Sequence, residues 1–501
     1  MCRSAEAVNR NADCECPLYK GTDTMKAVGF DIGTTTVCGV LIDMENGTTI
    51  KTQTRKNDSW IEGETYEKLQ NPDRILELVR EIYQDFLGEE EIAVIGLTGQ
   101  MHGIVYIDAN GDAVSPLYTW QDERGNCPVL SGDAVSEEKT TGTKTYAQEL
   151  SELTGYPMAT GFGLTTHYYN LKNGLIPEGA VSFTAIHGYI GMKLTGRKDS
   201  LLTASDAASF GCFDLDRQCF DTEALKRANI DAAMLPQCTA DIPLLGKTAE
   251  QISVAAAIGD NQASVIGSMR QMGESLLINI GTSSQISMCR KLPGVGGRKQ
   301  LQQTLQSAGI ELRPVMGDWY LMVGAGLCGG RAYAILERFF GKIVELLTGA
   351  ETEKGQFYDK MNQMLDQRGL EEGQLKIDTR FCGTRQEPDR TGGIQGLSEQ
   401  NFTPEEFTYG VLRGMAEELE SFYHEMKNAG SETPNYLVGS GNAIRSNPHL
   451  RKIFERMFHM EMQIPQHREE AAYGAALAAV TAGGYLPSLE ETQHKMIKLV
   501  Q

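Results

Sequence analysis

The chain has 501 residues, 41% of them apolar and 22% charged, with a formal net charge of -20 and a pI near 5.0. This length favours two or three domains, each able to bury its own core. Ordinary globular composition without a long apolar run argues against a membrane-spanning protein. The acidic balance argues against nucleic acid or an anionic membrane as a partner, because both require clustered lysine and arginine.

Eleven cysteines are scattered without CxxC pairs, which fits a reduced cytoplasmic protein better than a disulfide framework. One cluster, Cys2, Cys14 and Cys16, lies in a polar N-terminal stretch that lacks the apolar core of a signal peptide. We interpret residues 1–25 as a loose extension, with metal binding as the alternative role of its cysteines. We therefore expect a cytoplasmic location.

From Ala27 onward the pattern predicts a strand, a tight turn and a second strand, in AVGFDIG and TTTVCGVLID. The hairpin signal ENG precedes a third strand, TTIKTQT. In PDRILELVREIYQDFLG the apolar residues recur at helical spacing, and Gly88 stands where a C-terminal cap belongs. The short apolar run EIAVIGLTG is typical of a buried strand. This order indicates an α/β domain with a mixed sheet.

The second half of the chain repeats the order with ESLLINIG, TSSQISMC and a long helix that opens at TPEEFTYGVLRGMAEELESFYHEM. Thr403 and Glu406 have the spacing of a capping box, Pro404 suits the first helical position, and Gly430 can end the helix. NYLVGSGNA then predicts a strand that runs into a glycine turn. Two similar α/β halves are expected, with ligands bound where the halves face each other.

The same small-residue turn occurs in both halves, in GFDIGTTT and INIGTSS. Such a turn exposes backbone N–H groups to which a phosphate can bind, and two turns could hold a polyphosphate. The alternative is that Gly33 and Gly281 only make tight hairpins. Asp31 stands beside the first turn, where a carboxylate could hold Mg²⁺, whereas Asn279 at the matching position carries no charge.

Asp260 follows a glycine in AAIGDNQAS, where the two predicted halves join. A carboxylate beside a bound γ-phosphate could take the proton from an attacking hydroxyl, which is the role of the base in phosphoryl transfer. The alternative is a helix N-cap, for which aspartate is a preferred residue. The pattern alone does not separate these two interpretations.

Two further segments, GLTGQMHGIVY and PLYTWQDERG, combine an aromatic face, amides, a carboxylate and a guanidinium. This mixture suits a polyhydroxylated ligand, whose hydroxyls need both donors and acceptors. The residues concerned are Gln100, Met101, His102, Trp120, Gln121, Asp122 and Arg124. As alternatives, Trp120 and His102 could be structural, and Asp122 could pair with Arg124 on a loop.

Together these segments resemble the FGGY carbohydrate kinases, from about residue 26 to the C-terminus. The resemblance is carried by GFDIGTTT, GLTGQMHG, YTWQDER, KLTGRKDSLLTASDAAS, GDNQAS, NIGTSS, GTRQEPDRTGGIQGLS, VGSGNAIRSNPHL and EEAAYGAALAA. It implies two RNase H-like domains of the actin and sugar-kinase superfamily, residues 26–258 and 259–501, with a ligand cleft between them. It also allows a homodimer, since dimers are common in the family, although the sequence leaves the oligomeric state open.

The resemblance assigns roles to the matching positions of this chain. Asp260 matches the general base and touches the substrate, and Asp31 matches the acidic residue near Mg²⁺. The ATP-binding positions are Thr34 and Thr35 in the first turn, Gly281 and Thr282 in the second, and Gly441, Asn442 and Arg445 near the adenosine. The positions that contact the ketose are Gln100, Met101, His102, Trp120 and Asp122. Thr384 departs from the glutamate of many relatives, and no role is assigned to its loop.

The implied reaction is ATP-dependent phosphorylation of a ketose at its terminal primary hydroxyl. The combination of GQMHG, TWQD and GSGNA favours sedoheptulose, with xylulose or another pentulose or polyol second. An alternative from another class is a nucleotide-dependent sugar sensor without useful catalysis. The presence of Asp260 argues against a sensor, because a sensor needs no base.

Overall fold

The structure, a computed structural model, describes residues 25–88, 91–129, 144–294, 296–371 and 373–500. The cysteine cluster predicted in the N-terminal extension lies outside these residues. Two seven-stranded sheets dominate the described part of the chain. No helix within that part is both long and apolar enough to span a bilayer.

The first sheet is formed by the strands predicted in the N-terminal half and by three later ones. Its strands are β1 (Lys26–Ile32), β2 (Thr36–Asp43), β3 (Thr49–Lys56), β4 (Ile92–Gly99), β5 (Leu244–Lys247), β6 (Ser253–Ala255) and β7 (Ile258–Gly259). Their order is β5-β6-β4-β1-β2-β3, and β7 also pairs with β4. β1 is antiparallel to β2 and parallel to β4, so the predicted mixed sheet is confirmed.

The second sheet repeats this arrangement. Its strands are β8 (Ser275–Ile280), β9 (Ser284–Lys291), β10 (Ile310–Met316), β11 (Trp319–Gly326), β12 (Tyr436–Ser440), β13 (Met462–Pro465) and β14 (Leu499–Val500). Their order is β10-β11-β9-β8-β12-β13-β14. β8 is antiparallel to β9 and parallel to β12, as β1 is to β2 and β4. The predicted fold class, a duplicated α/β core of the actin and sugar-kinase type, is confirmed.

Helices cover the sheets and join them. Those of eight residues or more are α1 (Pro72–Leu87), α2 (Tyr146–Thr154), α3 (Gly163–Lys172), α4 (Ile186–Thr195), α5 (Asp260–Ser268), α6 (Arg298–Gln306), α7 (Gly329–Thr348), α8 (Tyr358–Arg368), α9 (Pro404–Asn428), α10 (Pro448–Phe458), α11 (Glu470–Ala482) and α12 (Leu489–Met496). Shorter strands pair outside the two sheets, among them Trp60–Ile61, Leu69–Gln70, Leu117–Tyr118, Val105–Ile107 and Ser182–Thr184. The proposed boundary between residues 258 and 259 falls inside β7, which belongs to the first sheet.

The ends of α9 match the sequence prediction in part. The Thr403 hydroxyl accepts a hydrogen bond from the Glu406 backbone N–H at 3.4 Å, as an N-cap should. The Glu406 carboxylate, however, accepts hydrogen bonds from Arg368 at 2.6 and 3.0 Å rather than completing a capping box. The helix ends at Asn428, and Gly430 follows with a φ of +84°. The predicted capping box is therefore only half formed, because the Glu406 carboxylate pairs with Arg368 and not with the backbone N–H of Thr403.

Helix α11 joins the second half of the chain to the first sheet, and its backbone packs against β1, β4 and α5. A side chain at Gly29 of β1 or Gly96 of β4 would overlap the backbone carbonyls of α11. On the helix itself, a Cβ at Gly474 would overlap the carbonyl oxygen of Ala263 in α5. The run of small residues in EEAAYGAALAA therefore permits backbone-to-backbone packing at the centre of the molecule.

We expect Gly474→Ala to lower the free energy of unfolding by about 1–3 kcal/mol, because α5 and α11 must separate to admit the methyl group. Denaturant unfolding followed by circular dichroism would measure the change. Gly393→Ala is the matched control, since no described atom lies within 4 Å of the position of its Cβ. Equal stability of the two variants would contradict the packing that we describe.

Candidate active site

Three parallel strands of the first sheet end side by side, and the predicted catalytic residues lie at these ends. Ile32 of β1 pairs with Gly99 of β4, which in turn pairs with Gly259 of β7. Asp31 and Asp260, each next to one of these residues, are therefore brought to the same edge of the sheet. Ligands of open α/β sheets bind at the carboxyl ends of the strands. The structure thus gathers residues separated by more than 200 positions at one edge.

One oxygen of the Asp31 carboxylate has no hydrogen-bond partner among the described residues. Its Oδ1 is buried and receives no hydrogen bond from the described residues. Burial, followed by the charges of Asp260 and Glu469, raises the pKa of Asp31 to about 7. No group of three metal-ligating side chains occurs in the described ranges. The Asp31 carboxylate, with one oxygen that receives no hydrogen bond from the described residues, fits Mg²⁺, which is commonly held by one or two carboxylates together with substrate phosphates and water.

Asp260 is the first residue of α5, and Gly259 occupies the N-cap position. The carboxylate accepts a hydrogen bond from the backbone N–H of Asn261 at 2.7 Å and does not cap the helix. The alternative interpretation of Asp260 as an N-cap is therefore wrong. Burial raises the pKa of Asp260, while the Asn261 hydrogen bond and the charges of His187 and Arg313 oppose that increase. A raised carboxylate pKa is typical of a general base.

The first glycine turn, residues 33–35, is held by two hydrogen bonds to its backbone. The Gly33 N–H donates to the Thr36 carbonyl at 2.9 Å, and Gln70 Nε2 donates to the Thr34 carbonyl at 2.9 Å. Thr35 is exposed. Both interpretations of this turn, a phosphate site and a tight hairpin, agree with this geometry, so its role stays a prediction.

Trp120 links this turn to the predicted ketose site. Its Nε1 donates to the Thr34 hydroxyl at 3.0 Å, and that hydroxyl donates to Gln100 Oε1 at 3.2 Å. The side chain of Trp120 is 47% exposed, so the alternative of a core tryptophan is wrong. A flat aromatic face is therefore open to ligand beside the amide of Gln100.

Met101 and His102 continue the loop after β4. The Met101 sulfur occupies the space that a side chain at Gly259 would fill, which places this methionine next to Asp260. His102 has a φ of +73°, and its ring stacks on Phe162 at 4.9 Å. Nδ1 lies 2.7 Å from the Ser209 carbonyl, which can only accept, so Nδ1 carries the proton and Nε2 is left as an acceptor. Burial, then the charge of Arg313, lowers the pKa of His102 to about 4.

Asp122 is fully buried, and its carboxylate is engaged by protein groups. It accepts hydrogen bonds from Arg124 Nε at 2.6 Å and Arg124 Nη2 at 3.2 Å, and from the Lys68 backbone N–H at 3.1 Å. The pairing of Asp122 with Arg124, which the sequence left as an alternative, is therefore observed. Contact of Asp122 with a ketose stays a prediction.

The second glycine turn borders a large cavity of about 1380 Å³. Gly281, Thr282 and Asn442, all predicted to bind nucleotide, line this cavity. The start of α7 is docked on the turn, since the N–H groups of Gly330 and Arg331 donate to the carbonyls of Gly281 and Thr282 at 2.9 and 3.1 Å. The positive end of a helix dipole thus lies beside the turn and favours an anion there.

Gly441 and Arg445, also predicted to bind nucleotide, lie close to Asn442 in the sequence, and Gly441 does not line the cavity. Gly441 has a φ of +85°, and a Cβ there would lie 2.5 Å from the Ile280 carbonyl oxygen, so only glycine fits. The Arg445 guanidinium donates to the carbonyls of Pro465 and His467 and to Glu470, at 3.0, 2.7 and 2.7 Å. Arg445 does not line the cavity. Its binding of nucleotide stays a prediction, while a structural role is visible.

Comparison with known proteins shows the family to which the chain belongs. The N-terminal domain model of the FGGY family of carbohydrate kinases matches residues 26–269, and the C-terminal domain model matches residues 302–483. The chain belongs to the FGGY family of carbohydrate kinases. It is 28% identical to sedoheptulokinase from Mus musculus over 491 residues, which cover 90% of this chain and 96% of that protein. It is 29% identical to sedoheptulokinase from Homo sapiens, over 76% and 80% of the respective chains.

A solved structure of the same fold is the xylulose kinase from Rhodospirillum rubrum. The two folds superpose with a TM-score of 0.75 at 18% identity, over 95% of this chain and 93% of that chain. At this identity the likeness shows the fold alone. The family match therefore establishes a carbohydrate kinase, and the choice of sugar rests on other evidence.

One buried pair near Asp31 and Asp260 of this FGGY kinase, His187 with Asp206, was not predicted from the sequence. His187 Nε2 lies 2.8 Å from Asp206 Oδ1, and both side chains are fully buried. Burial opposes a charged imidazole, yet the carboxylates of Asp206, Asp260 and Asp31 together raise the pKa of His187. The one available signal was a lone aspartate among small residues in TASDAAS. The positive charge favoured on His187 offsets part of the repulsion between the carboxylates.

Asp31 should make the stability of the kinase depend on pH. Its pKa is about 7 in the fold and 3.8 in a solvated chain, so the folded protein binds more protons between these values. The contribution of Asp31 to the free energy of unfolding therefore falls as pH rises from about 4 to 7, by on the order of 4 kcal/mol. We expect Asp31→Asn to stabilise the protein more at pH 8 than at pH 5, in denaturant unfolding without nucleotide or divalent cations.

Asp389→Asn serves as the control for this measurement, because Asp389 is exposed. It should leave stability nearly unchanged at both pH values. An Asp31→Asn effect of the same size at pH 5 and pH 8 would show that the charge of this carboxylate is not the cause.

Proposed function

We propose that this kinase transfers the γ-phosphoryl group of ATP to the terminal primary hydroxyl of a ketose, with sedoheptulose as the substrate. The observation that carries this proposal is the position of Asp260, a partly buried carboxylate next to the Met101–His102 loop at the strand ends. The similarity to two sedoheptulokinases over most of the chain supports the choice of sugar.

Asp260 is suited to orient the acceptor hydroxyl and take its proton. The hydrogen bond from the Asn261 N–H fixes the carboxylate, and burial makes it more basic than an exposed aspartate. The Met101 sulfur lies next to Gly259, the residue that precedes Asp260. A positioned base of this kind contributes about 10²- to 10⁴-fold to the rate.

The nucleotide fits the cavity of the second half, with its phosphates between the two glycine turns. Thr282 would bind phosphate oxygens through its backbone N–H group, and Thr34 and Thr35 would do so from the first turn. The Gly281 N–H already donates to the Ser283 carbonyl at 3.0 Å, so Gly281 would contribute by leaving room for the phosphate. Asp31 would hold Mg²⁺, which offsets the charge of the transferring phosphoryl group when it is bound. Closure of the two halves around the ligands would exclude water as a competing acceptor.

Other acceptors remain alternatives that the same machinery would serve. Xylulose, ribulose or another polyol could replace sedoheptulose, since several solved structures of this fold are xylulose kinases. A sensor that binds ATP and ketose without turnover is the alternative from another class. The homodimer and the cytoplasmic location stay predictions.

Asp260→Asn should lower kcat by about 10²- to 10⁴-fold while ATP still binds, because the amide cannot accept the proton. ADP release would be measured with sedoheptulose, xylulose, ribulose and glycerol supplied separately to the wild type and the variant. We expect sedoheptulose to have the highest kcat/KM. A higher value for another sugar would overturn the choice of ketose, and near-normal turnover of the variant would overturn the assignment of the base.

Ketose binding should change the fluorescence of Trp120, because the sugar would replace water on its exposed face. The change, followed by titration with sedoheptulose, should disappear in Trp120→Phe. Trp319→Phe is the control, since Trp319 lies in β11 of the second sheet, where its Nε1 donates to Glu490 at 3.2 Å. A signal lost in the Trp319 variant and kept in the Trp120 variant would contradict the proposed ketose site.

A further inference from the structure

A chain of charged and polar side chains reaches the proposed ketose site from the second sheet. Glu311 and Arg313 point from β10, where Arg313 Nε and Nη2 donate to Glu311 Oε2 at 2.8 and 2.6 Å. Arg313 Nη1 donates to Asn261 Oδ1 at 3.2 Å. Asn261 directly follows Asp260. The guanidinium of Arg313 therefore lies one side chain away from the proposed base.

Asn261 is held on both sides of its amide. Its oxygen accepts from Arg313, and its Nδ2 donates to Gln285 Oε1 at 2.9 Å. The next residue, Gln262, donates to the carbonyl of Pro314 in β10 at 3.0 Å and is buried. The start of α5, which carries Asp260, is thus docked on β10 by two consecutive side chains.

The Arg313 guanidinium retains hydrogen-bonding capacity toward the ligand. An arginine has five N–H donors, of which Glu311 takes two and Asn261 takes one. Two donors are left for another acceptor. Its charge acts to lower the pKa of both His102 and Asp260. The hydrogen bond to Asn261 places the guanidinium beside the residue that follows Asp260.

A loop of the second half supports Glu311 from the other side. Arg385 Nη1 donates to Glu311 Oε1. Thr384 shapes this loop, since its hydroxyl accepts from the Glu387 N–H at 2.9 Å and its own N–H donates to the Glu387 carbonyl at 3.0 Å. The Glu311 carboxylate is thus shared between Arg313 and Arg385, whose guanidinium groups overcome the effect of burial and lower its pKa to about 2. A permanent negative charge anchors Arg313 at neutral pH.

We propose that Arg313, held in place by Glu311 and Arg385, determines acceptor specificity by donating hydrogen bonds to hydroxyl groups of the ketose. The ketose is thereby bound between the loop of the first half that carries His102 and a strand of the second half. This inference rests on the proposed ketose kinase function. It assigns recognition of the polyhydroxylated acceptor to a sheet in which the sequence predicted only nucleotide binding.

The test compares Arg313→Met and Arg313→Lys with the wild type, using steady-state kinetics with sedoheptulose and ATP. Loss of hydrogen bonds from a charged donor should raise the ketose KM about 10- to 100-fold in Arg313→Met. The ketose KM of Arg313→Lys should lie between those of the wild type and Arg313→Met, because lysine keeps the positive charge but lacks the paired N–H donors of the guanidinium. The KM for ATP should not change, and kcat should fall less than the ketose KM rises, as expected for a binding contact.

Two further variants separate recognition from a general disturbance of the fold. Arg385→Met should raise the ketose KM by no more than about fivefold, because its ion pair is half exposed. Arg390→Met is the matched control from the same loop, since Arg390 pairs with Asp378 and Glu387 at 3.4 and 2.8 Å. It should leave both KM values unchanged.

The outcomes are distinguishable. A ketose KM in Arg313→Met equal to that of the wild type, with a normal KM for ATP, would overturn this inference and leave the kinase function intact. A parallel rise of both KM values in Arg313→Met would show a structural role and would also overturn it. A wild-type protein that phosphorylates none of the four acceptors, sedoheptulose, xylulose, ribulose and glycerol, would overturn the proposed function and, with it, this inference.

Discussion

The close packing of α11 against β1, β4 and α5 is the constraint on which the rest of the structure depends. β1, β4 and α5 each approach α11 backbone to backbone, at Gly29 of β1, Gly96 of β4 and Gly474 of α11. α11 follows β13 of the second sheet, whereas β1 and β4 belong to the first. This contact therefore sets how the two halves meet.

Electrostatics at the strand ends oppose stability and favour function. Burial raises the pKa of both carboxylates, Asp31 and Asp260, and the charge of Asp260 raises the pKa of Asp31 further. The His187–Asp206 pair lies behind them and offsets part of the repulsion. Active sites commonly keep such destabilising charges because the reaction requires them. Here an incoming cation would bind the Asp31 oxygen that has no partner among the described residues, and the acceptor hydroxyl would donate to the Asp260 carboxylate.

Much of the fold could be predicted from local patterns. The strands on either side of each glycine turn and the helix α1 are visible as short apolar runs and as helical spacing, and their repetition indicated the duplicated core. The capping box predicted at Thr403 is only half formed, because Glu406 pairs with Arg368, a residue distant in the sequence that local spacing does not reveal. The link from Glu311 through Arg313 to Asn261 was missed for the same reason. Spacing and composition carry no information about pairs that only tertiary folding brings together.

The central claim is that Asp260 lies between a nucleotide bound in the second half and a ketose bound beside Met101 and His102. A crystal structure with a non-hydrolysable ATP analogue, Mg²⁺ and sedoheptulose tests it most directly. We expect the terminal hydroxyl of the ketose to lie within hydrogen-bond distance of the Asp260 carboxylate, and the γ-phosphate to lie between the two glycine turns. A ketose bound with its terminal hydroxyl directed away from Asp260 would contradict the account.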